Sequence, residues 1–460
     1  MSLKILIIGS GGREHAIAWL ISKSKRQIDK IYVMPGNAGT ITEKNVFNID
    51  IDINNKDEVL NFAIENTIDL TIVGPEVPLV DGISDLFERN NLNIFGPKKY
   101  FAQLEGSKVF SKKFMQDNNL PTADYKEFDN IENAVRHVKS KKPPIVVKYD
   151  GLAAGKGVDI CESQDHAESS IKNLLKPNES IIVEDFIKGI ELSSIYICNP
   201  NASKKTIGLP WVKDYKSRDE YNSGPNTGGM GAITHPYCSF KKNDVYSLNT
   251  EIEKIIIKTI VSINNSSGDQ SNYNGFLYLG LMISTEDNKP YLLEYNCRMG
   301  DPETQNLMMY LYNNDVDFLD LIGFNNSEYP DNFNLTFIDD KKYSGFCCTV
   351  VLAADGYPSE PKKDFFVDLS EIKESSNLKV FHAGTKINNG AVKVTGGRIL
   401  SVNTCCDSKQ EAIDLAYENI RRIKAFKDPE LRDEDGSLVF FRSDIAVSYT
   451  HLTLPTNREV

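Results

Sequence analysis

Four short apolar runs punctuate residues 1–100, at 4–8, 30–33, 70–73 and 93–95, each closed by a Gly or Pro and separated by polar stretches of helical character. Alternation of this kind predicts a parallel sheet flanked by helices, with ligands expected at the carboxyl ends of the strands. The first loop, GSGGREH at 9–15, must be weighed as a dinucleotide fingerprint because it follows a strand and opens a helix. It fails at one place, since the third glycine of G-x-G-x-x-G falls on Glu14. The segment reads instead as a helix N-terminus suited to one phosphate, with Gly11, Gly12 and Arg13 at its mouth. The loops PGNAG (35–39) and GPEVP (74–78) end neighbouring strands and complete the expected pocket through Asn37, Gly39, Gly74, Pro75 and Glu76. His15 reads as a satisfied helix histidine.

A chain of 460 residues exceeds one ordinary core, and at roughly 150 residues per domain it divides into about three units. The hydrophobic fraction of 40% and charged fraction of 25% are those of a globular protein. A net charge of −12 repels nucleic acid and anionic membranes, so a nucleotide site needs its own local cations. No apolar run approaches the roughly 18 residues of a membrane span. The first strand begins almost at Met1, which leaves no room for a leader, and a cytoplasmic location is expected. The 8 cysteines show no CxxC spacing and no neighbouring His cluster, so buried reduced thiols are expected rather than zinc or disulfides.

Further along, a compact segment holds strand candidates at 145–149 and 180–184 around a glycine-rich loop. Runs at 191–198, 275–284 and 290–295, with a helical stretch at 245–263, describe an α+β body. Runs at 345–353, 378–383 and 391–402 precede an amphipathic stretch at 409–423. The expected division is an N-terminal Rossmann-like domain (1–120), a lid (121–190), a central body (191–330, with a linker at 325–340) and a mostly β C-terminal domain (331–447). The ending SYTHLTLPTNREV (448–460) shares neither charge nor periodicity with what precedes it, reads as translated cloning or adapter DNA, and is set aside.

Chemistry concentrates in four places. The loop KYDGLAAGKG (148–157) packs two lysines and three glycines into ten positions, which suits phosphate, although an isolated loop of this kind is as readily a tight hairpin with solvated lysines. It is not a Walker A loop, because Lys156 is followed by Gly157 and a strand is expected next. In the strand at 290–295, period two carries Glu294, Asn296 and Arg298 to one face. Two hard oxygen ligands beside a cation are what Mg²⁺ bridging phosphates requires, leaving Arg298 free to neutralise a transferring phosphoryl group. The connector at 183–191 can offer backbone groups to adenine and Glu191 to ribose. The stretch from Asp214 and Lys216 to Gly231 is glycine-rich and almost without apolar content, either a linker or a loop that orders over a ligand.

GSGGREHA (9–16), PGNAGT (35–40), LEGSK (104–108), DGLAAGKGV (150–158), GPNTGGMGA (224–232), NCR (296–298), GDPETQ (300–305) and FHAGT (381–385) stand in the order and approximate spacing of the phosphoribosylamine-glycine ligases, the glycinamide ribonucleotide synthetases. The chain resembles that ATP-grasp family over about residues 3–446. The resemblance implies ATP held between lid and body by Lys108, Lys148, Gly151, Gly155, Lys156, Gly157, Glu184, Asp185, Phe186, Ile187 and Glu191. It implies Mg²⁺ or Mn²⁺ on Glu294 and Asn296, and catalytic roles for Arg298, Lys156, Asp214 and Lys216. Glycine and 5-phosphoribosylamine would meet Gly11, Gly12, Arg13, Asn37, Gly39, Gly74, Pro75, Glu76, Asn226, Thr227, Gly228, Gly229 and Arg298. The implied reaction is ligation of glycine to phosphoribosylamine through glycyl phosphate in purine biosynthesis. All implied partners are small molecules, for a monomer or weak homodimer. Three departures stand out: Lys213, Tyr215 and Ser217 replace the family's usual residues around Asp214 and Lys216, Tyr149 stands where a small residue is usual, and the family's ending is replaced near Val447. Another ATP-grasp carboxylate-amine ligase, a non-catalytic binding protein and a Rossmann-type oxidoreductase are the competing readings.

Overall fold

The computed structural model describes residues 2–152, 157–202, 205–234, 242–324, 344–431 and 433–447. Gly155 and Lys156 of the glycine-rich loop, Cys238, the linker expected at 325–340 and the tail at 448–460 lie outside the described residues. In the N-terminal unit the strands Val46–Asn48, Ile28–Pro35, Leu3–Gly9, Leu70–Val73 and Ile94–Phe95 pair in that order, all parallel. Ile5 to Ile8 are fully buried, as a strand covered on both faces by helices demands. Val46–Asn48 gave no signal in the sequence because this short edge strand leaves Phe47 exposed. The strand order reverses between Leu3–Gly9 and Leu70–Val73, which opens the ligand crevice at Gly9–Gly12 and Gly74–Glu76.

The lid is an antiparallel sheet in the order Tyr125–Phe128, Ile181–Asp185, Ile145–Tyr149, Val158–Cys161, backed by helices Ile131–Lys139 and Gln164–Leu174. It has its own core, with Val138, Val147, Ile171 and Val183 buried together. Sequence periodicity missed Tyr125–Phe128 because the YKEF strand lies on the sheet edge without a fully buried residue.

The central sheet runs Pro290–Asn296, Gly275–Ser284, Gly189–Cys198, Val212–Asp214, Gly231–Thr234, Phe346–Ala354, Arg398–Cys406, Leu378–His382. Strand alternation sorts its side chains into two layers. Leu192, Leu277, Leu279 and Leu292 pack under helix Lys242–Asn265. Ile195, Phe276 and Tyr278 point the other way, toward helices Glu303–Asn313 and Gly12–Ser22. The strands expected in a separate C-terminal domain therefore continue the body sheet, joined where Gly231–Thr234 pairs with Phe346–Ala354. The single run expected at 391–402 is two strands. Ala391–Val394 belongs to a small sheet with Thr385–Asn388, Phe366–Asp368 and Lys424–Phe426, and Arg398–Cys406 joins the large one. The break falls at Gly396, where a Cβ on the facing Gly384 would stand 2.5 Å from the Gly396 Cα. Helix Lys409–Ile420 closes the C-terminal core, its start fixed by a Ser408–Glu411 capping box. The described cysteines are free thiols, all buried except half-buried Cys406. Among the described residues no helix is long and apolar enough to cross a membrane.

Candidate active site

Register builds the centre of the site. Glu294 lies opposite Gly280, Gly280 opposite Ser193, and Ser193 opposite Val212. Two residues along, Asn296 faces Tyr278 in the same layer, and Glu191 and Asp214 sit on that face of their own strands. Gly280 leaves room for the Glu294 side chain at this crossing, since a Cβ there would stand 3.0 Å from its Cγ. The pairing slips at Leu293, and the carbonyl of this bulged residue accepts a 3.0 Å hydrogen bond from Lys148 Nζ of the lid. The phosphate-loop lysine and the Glu294 strand therefore face one enclosure.

The charges there are matched. Lys216 pairs with the Glu191 carboxylate and stands 3.9 Å from Glu294. Burial alone would lower the Lys216 ammonium, but Glu191 and Asp214 carry it well above its ordinary value. Burial likewise opposes ionisation of Glu294, yet Lys216, Lys148, Lys108 and Arg298 outweigh it and hold the carboxyl below its usual range. Asp214 goes the other way, pushed well up by burial against the pull of Lys216. Tyr278 closes the floor with a 2.7 Å hydrogen bond to Ser193, whose hydroxyl also lies 3.3 Å from Glu303.

From the lid side, Lys108 Nζ donates to the Gly151 carbonyl at 2.9 Å, and Asp150 accepts from Ser107 Oγ and Val109 N. Gly151 holds φ +133° beneath the Tyr149 ring, and the Tyr149 hydroxyl bonds Glu179 at 3.2 Å. Gly157 accepts from Tyr149 N at 2.8 Å, closing the loop's base. Glu184, next to last in its strand, is buried against Lys148, while exposed Asp185 pairs with Lys141. Phe186 and Ile187 lie half-buried in the connector leading to Glu191.

Arg298 does not hang free, as the sequence reading expected. Its guanidinium lies 2.9 Å from Glu105 and 3.3 Å from Glu76, joining the grasp strand to the N-terminal crevice. Burial pushes Glu105 up to about 7 against the pull of Arg298. Arg13 is committed similarly, to Glu14 at 2.6 Å and the Met299 carbonyl at 3.0 Å. Glu14 also caps Gly11 N at 2.6 Å, and it fills the space over Gly9 and Gly74, where a Cβ on Gly74 would meet its carboxylate at 1.9 Å. Glu14 thus occupies the place of the third fingerprint glycine, whose role is close packing of helix on strand, and the dinucleotide pattern is not met there. Next to Gly74, Pro75 caps the short helix that carries Glu76.

Asn37 has its amide tied to the carbonyls of Ser10 and His382, and its oxygen accepts from Gly39 N and Thr40 N. Gly39 lies under His15 and His382, with no room for a Cβ. His15 Nδ1 accepts from His382 N, so Nε2 carries the proton toward Glu43, and burial lowers the ring's pKa: a neutral, satisfied imidazole, as the sequence reading expected.

The glycine-rich 224–231 loop is anchored on both sides. Thr227 donates twice to the Lys216 carbonyl, and Asn226 pairs with Ser217. Gly228 N donates to the Tyr357 hydroxyl, and Gly229 at φ +113° lies against Pro302. Gly12 abuts Gln305, and Gly11 lies beside Asp301. The loops of the N-terminal crevice, residues 299–305 and 226–229 thus converge. Of the departures near Asp214, Tyr215 is a core residue, its hydroxyl bonded by Ala446 N and its ring beneath Arg442. Sequence reasoning missed Glu105, Lys112, Tyr278, Asp301 and Arg398. Glu105 and Asp301 stood inside quoted motifs, whereas Lys112 and Tyr278 looked like ordinary helix and strand residues.

A lid and a body sheet closing on one acidic and cationic enclosure define an ATP-grasp enzyme. Three family models match the chain: the phosphoribosylglycinamide synthetase N domain over residues 3–105, its ATP-grasp (A) domain over 106–304 and its C domain over 347–448. The phosphoribosylamine–glycine ligase of Clostridium acetobutylicum is 40% identical over 97% of this chain and 100% of its own length. That of Vibrio cholerae is 40% identical over 90% and 94%. The crystal structure of the Thermotoga maritima phosphoribosylamine–glycine ligase superposes with a TM-score of 0.74 at 30% identity, covering 96% of this chain and all (100%) of that one. The biotin carboxylase domain of the Hydrogenobacter thermophilus 2-oxoglutarate carboxylase, solved with MgADP and bicarbonate, shares the fold at 15% identity and a TM-score of 0.68, over 94% of this chain and 95% of that one. The chain belongs to the phosphoribosylglycinamide synthetase family.

Proposed function

We propose that this enzyme joins glycine to 5-phosphoribosylamine at the expense of ATP, giving glycinamide ribonucleotide, ADP and phosphate in purine biosynthesis. The observation that carries the reading is Lys148 of the lid resting on the Leu293 carbonyl beside Glu294, so the phosphate loop and the acidic strand meet over one volume. Lys108 and Lys148 bind nucleotide phosphates, while the connector through Phe186 and Ile187 takes adenine.

Glu294 and Asn296 fit a divalent cation. They are hard oxygen donors on one strand face, and Glu294 is held ionised. Among the described residues no group of three or more His, Cys, Asp or Glu is arranged to hold a metal ion. When bound, Mg²⁺ would neutralise charge on the transferring phosphoryl group.

Glycine's carboxylate attacks the γ-phosphate to give glycyl phosphate. The phosphoribosylamine nitrogen, held against the N-terminal crevice, then displaces phosphate. Both steps gather negative charge on oxygen, and Lys216 and Arg298 are cations already fixed in place by carboxylates. No enzyme nucleophile is needed. A coupled ADP assay with substrate omission tests the reading. ADP release should require glycine, phosphoribosylamine and Mg²⁺ together. Equal release with another amine acceptor, or none with the full set, would overturn it.

A further inference from the structure

Glu184 is buried, 3% exposed, and its Oε2 faces two ammonium groups, Lys148 at 3.0 Å and Lys112 at 3.2 Å. One carboxylate thus meets two cations, and the two are held differently. Lys112 is 2% exposed, and its Nζ donates to Thr122 Oγ1 at 2.6 Å. Thr122 in turn donates to the Leu292 carbonyl at 2.7 Å, where the start of the lid segment bridges to a body strand. The Tyr125 ring lies 5.8 Å from the same ammonium. Lys112 is thereby enclosed by helix Lys108–Asp117, the start of the lid segment and the lid strand Ile181–Asp185. Among the described residues, Lys148 is tethered otherwise only to the Leu293 carbonyl, at the edge of the enclosure assigned to phosphates.

We propose that Lys112 is the permanent counter-charge of Glu184, a positioning residue that releases Lys148 to turn between Glu184 and the nucleotide phosphates. The inference rests on the ATP-grasp reading of the site. A buried carboxylate stripped of its last cation is strongly destabilised, whereas one keeping a hydrogen-bonded ammonium is not. With Lys112 in place, Lys148 can leave Glu184 for phosphate without orphaning it. Without Lys112, nucleotide binding must break the Glu184–Lys148 pair, the one left to this carboxylate among the described residues. Burial lowers the Lys112 ammonium to about 8, and the Glu184 carboxylate opposes that fall.

Equilibrium binding of MgATP, measured by calorimetry, separates the roles in four proteins: wild type, Lys112→Met, Glu184→Gln and the double variant. Lys112→Met should weaken MgATP binding by about 10²-fold. The double variant should bind within about threefold of Glu184→Gln alone, because a neutral amide needs no counter-charge. Wild-type affinity in Lys112→Met overturns the proposal, and so does a further tenfold loss in the double variant over Glu184→Gln. If Lys112→Met does not fold, the comparison of Glu184→Gln with the double variant still decides. Wild-type binding of MgATP without glycine-dependent turnover would instead defeat the assigned reaction and leave the counter-charge standing.

Discussion

At the scale of single residues the site is a set of carboxylates and cations whose pairing was decided by burial. Arg298 shows this most clearly, because two acids, half-buried Glu76 and buried Glu105, hold its guanidinium in one orientation. Arg298→Ala should lower kcat by about 10²-fold or more, as loss of a preorganised cation does. It should also lower the melting temperature, since both acids lose a partner. Unchanged turnover would remove Arg298 from the chemistry. Away from the site, Glu43 gives a pH signature. Burial would raise its carboxyl, but His15 and Lys379, the latter at 2.6 Å, outweigh burial and hold it at about 2 instead of 4.5. A depressed folded pKa means stability fully present above pH 4.5 and lost as the pH falls toward 2. Between pH 6 and pH 3, the wild type should therefore lose about 2 kcal/mol more than Glu43→Gln in denaturant titrations. Equal losses in the two proteins would show that Glu43 titrates normally. The polar letters of these residues were readable in the sequence. Their partners were not: Arg298 meets Glu76 across more than two hundred positions, a distance that periodicity cannot see.

At the scale of elements, the strand Pro290–Asn296 was legible because period two is a property of the extended backbone itself, and it places Glu294 and Asn296 on one face wherever that strand lies. The loop at 224–231 was legible only as glycine-rich. Its contacts explain the composition: Gly229 holds φ +113°, and a Cβ there would stand 2.4 Å from Pro302. Gly229→Ala should therefore cost about 1–3 kcal/mol and displace the loop from residues 299–305. The accompanying signature is a kcat/KM for phosphoribosylamine reduced more than the affinity for MgATP. Reversal of that order would place the loop at the nucleotide instead. The edge strand Tyr125–Phe128 escaped detection because it lacks a buried face.

At the scale of the whole molecule, the C-terminal strands extend the sheet that carries the site, and Arg398 couples the two. Its Nη1 donates to the Gly228 carbonyl at 2.6 Å and the Asp301 carbonyl at 2.5 Å, and it lies 3.2 Å from the Asp301 carboxylate. Arg398→Met should leave MgATP affinity within about threefold of wild type while lowering kcat/KM for the acceptor by about tenfold or more. Equal loss of both would mean that the C-terminal unit supports the fold as a whole and not the acceptor side. By itself the sequence determined the local conformations: the parallel α/β opening, the alternating acid and amide of the grasp strand, and the glycine positions where backbone must approach backbone. These follow from backbone sterics and hydrophobic period, which act over a few residues. Only the tertiary structure decided that Asn37 and Arg13 spend their polar groups inside the protein, that Lys112 stands behind Glu184, and that the C-terminal strands finish the body sheet. Charge pairing and sheet register depend on which surfaces are driven out of water together, and that is settled only when the units pack.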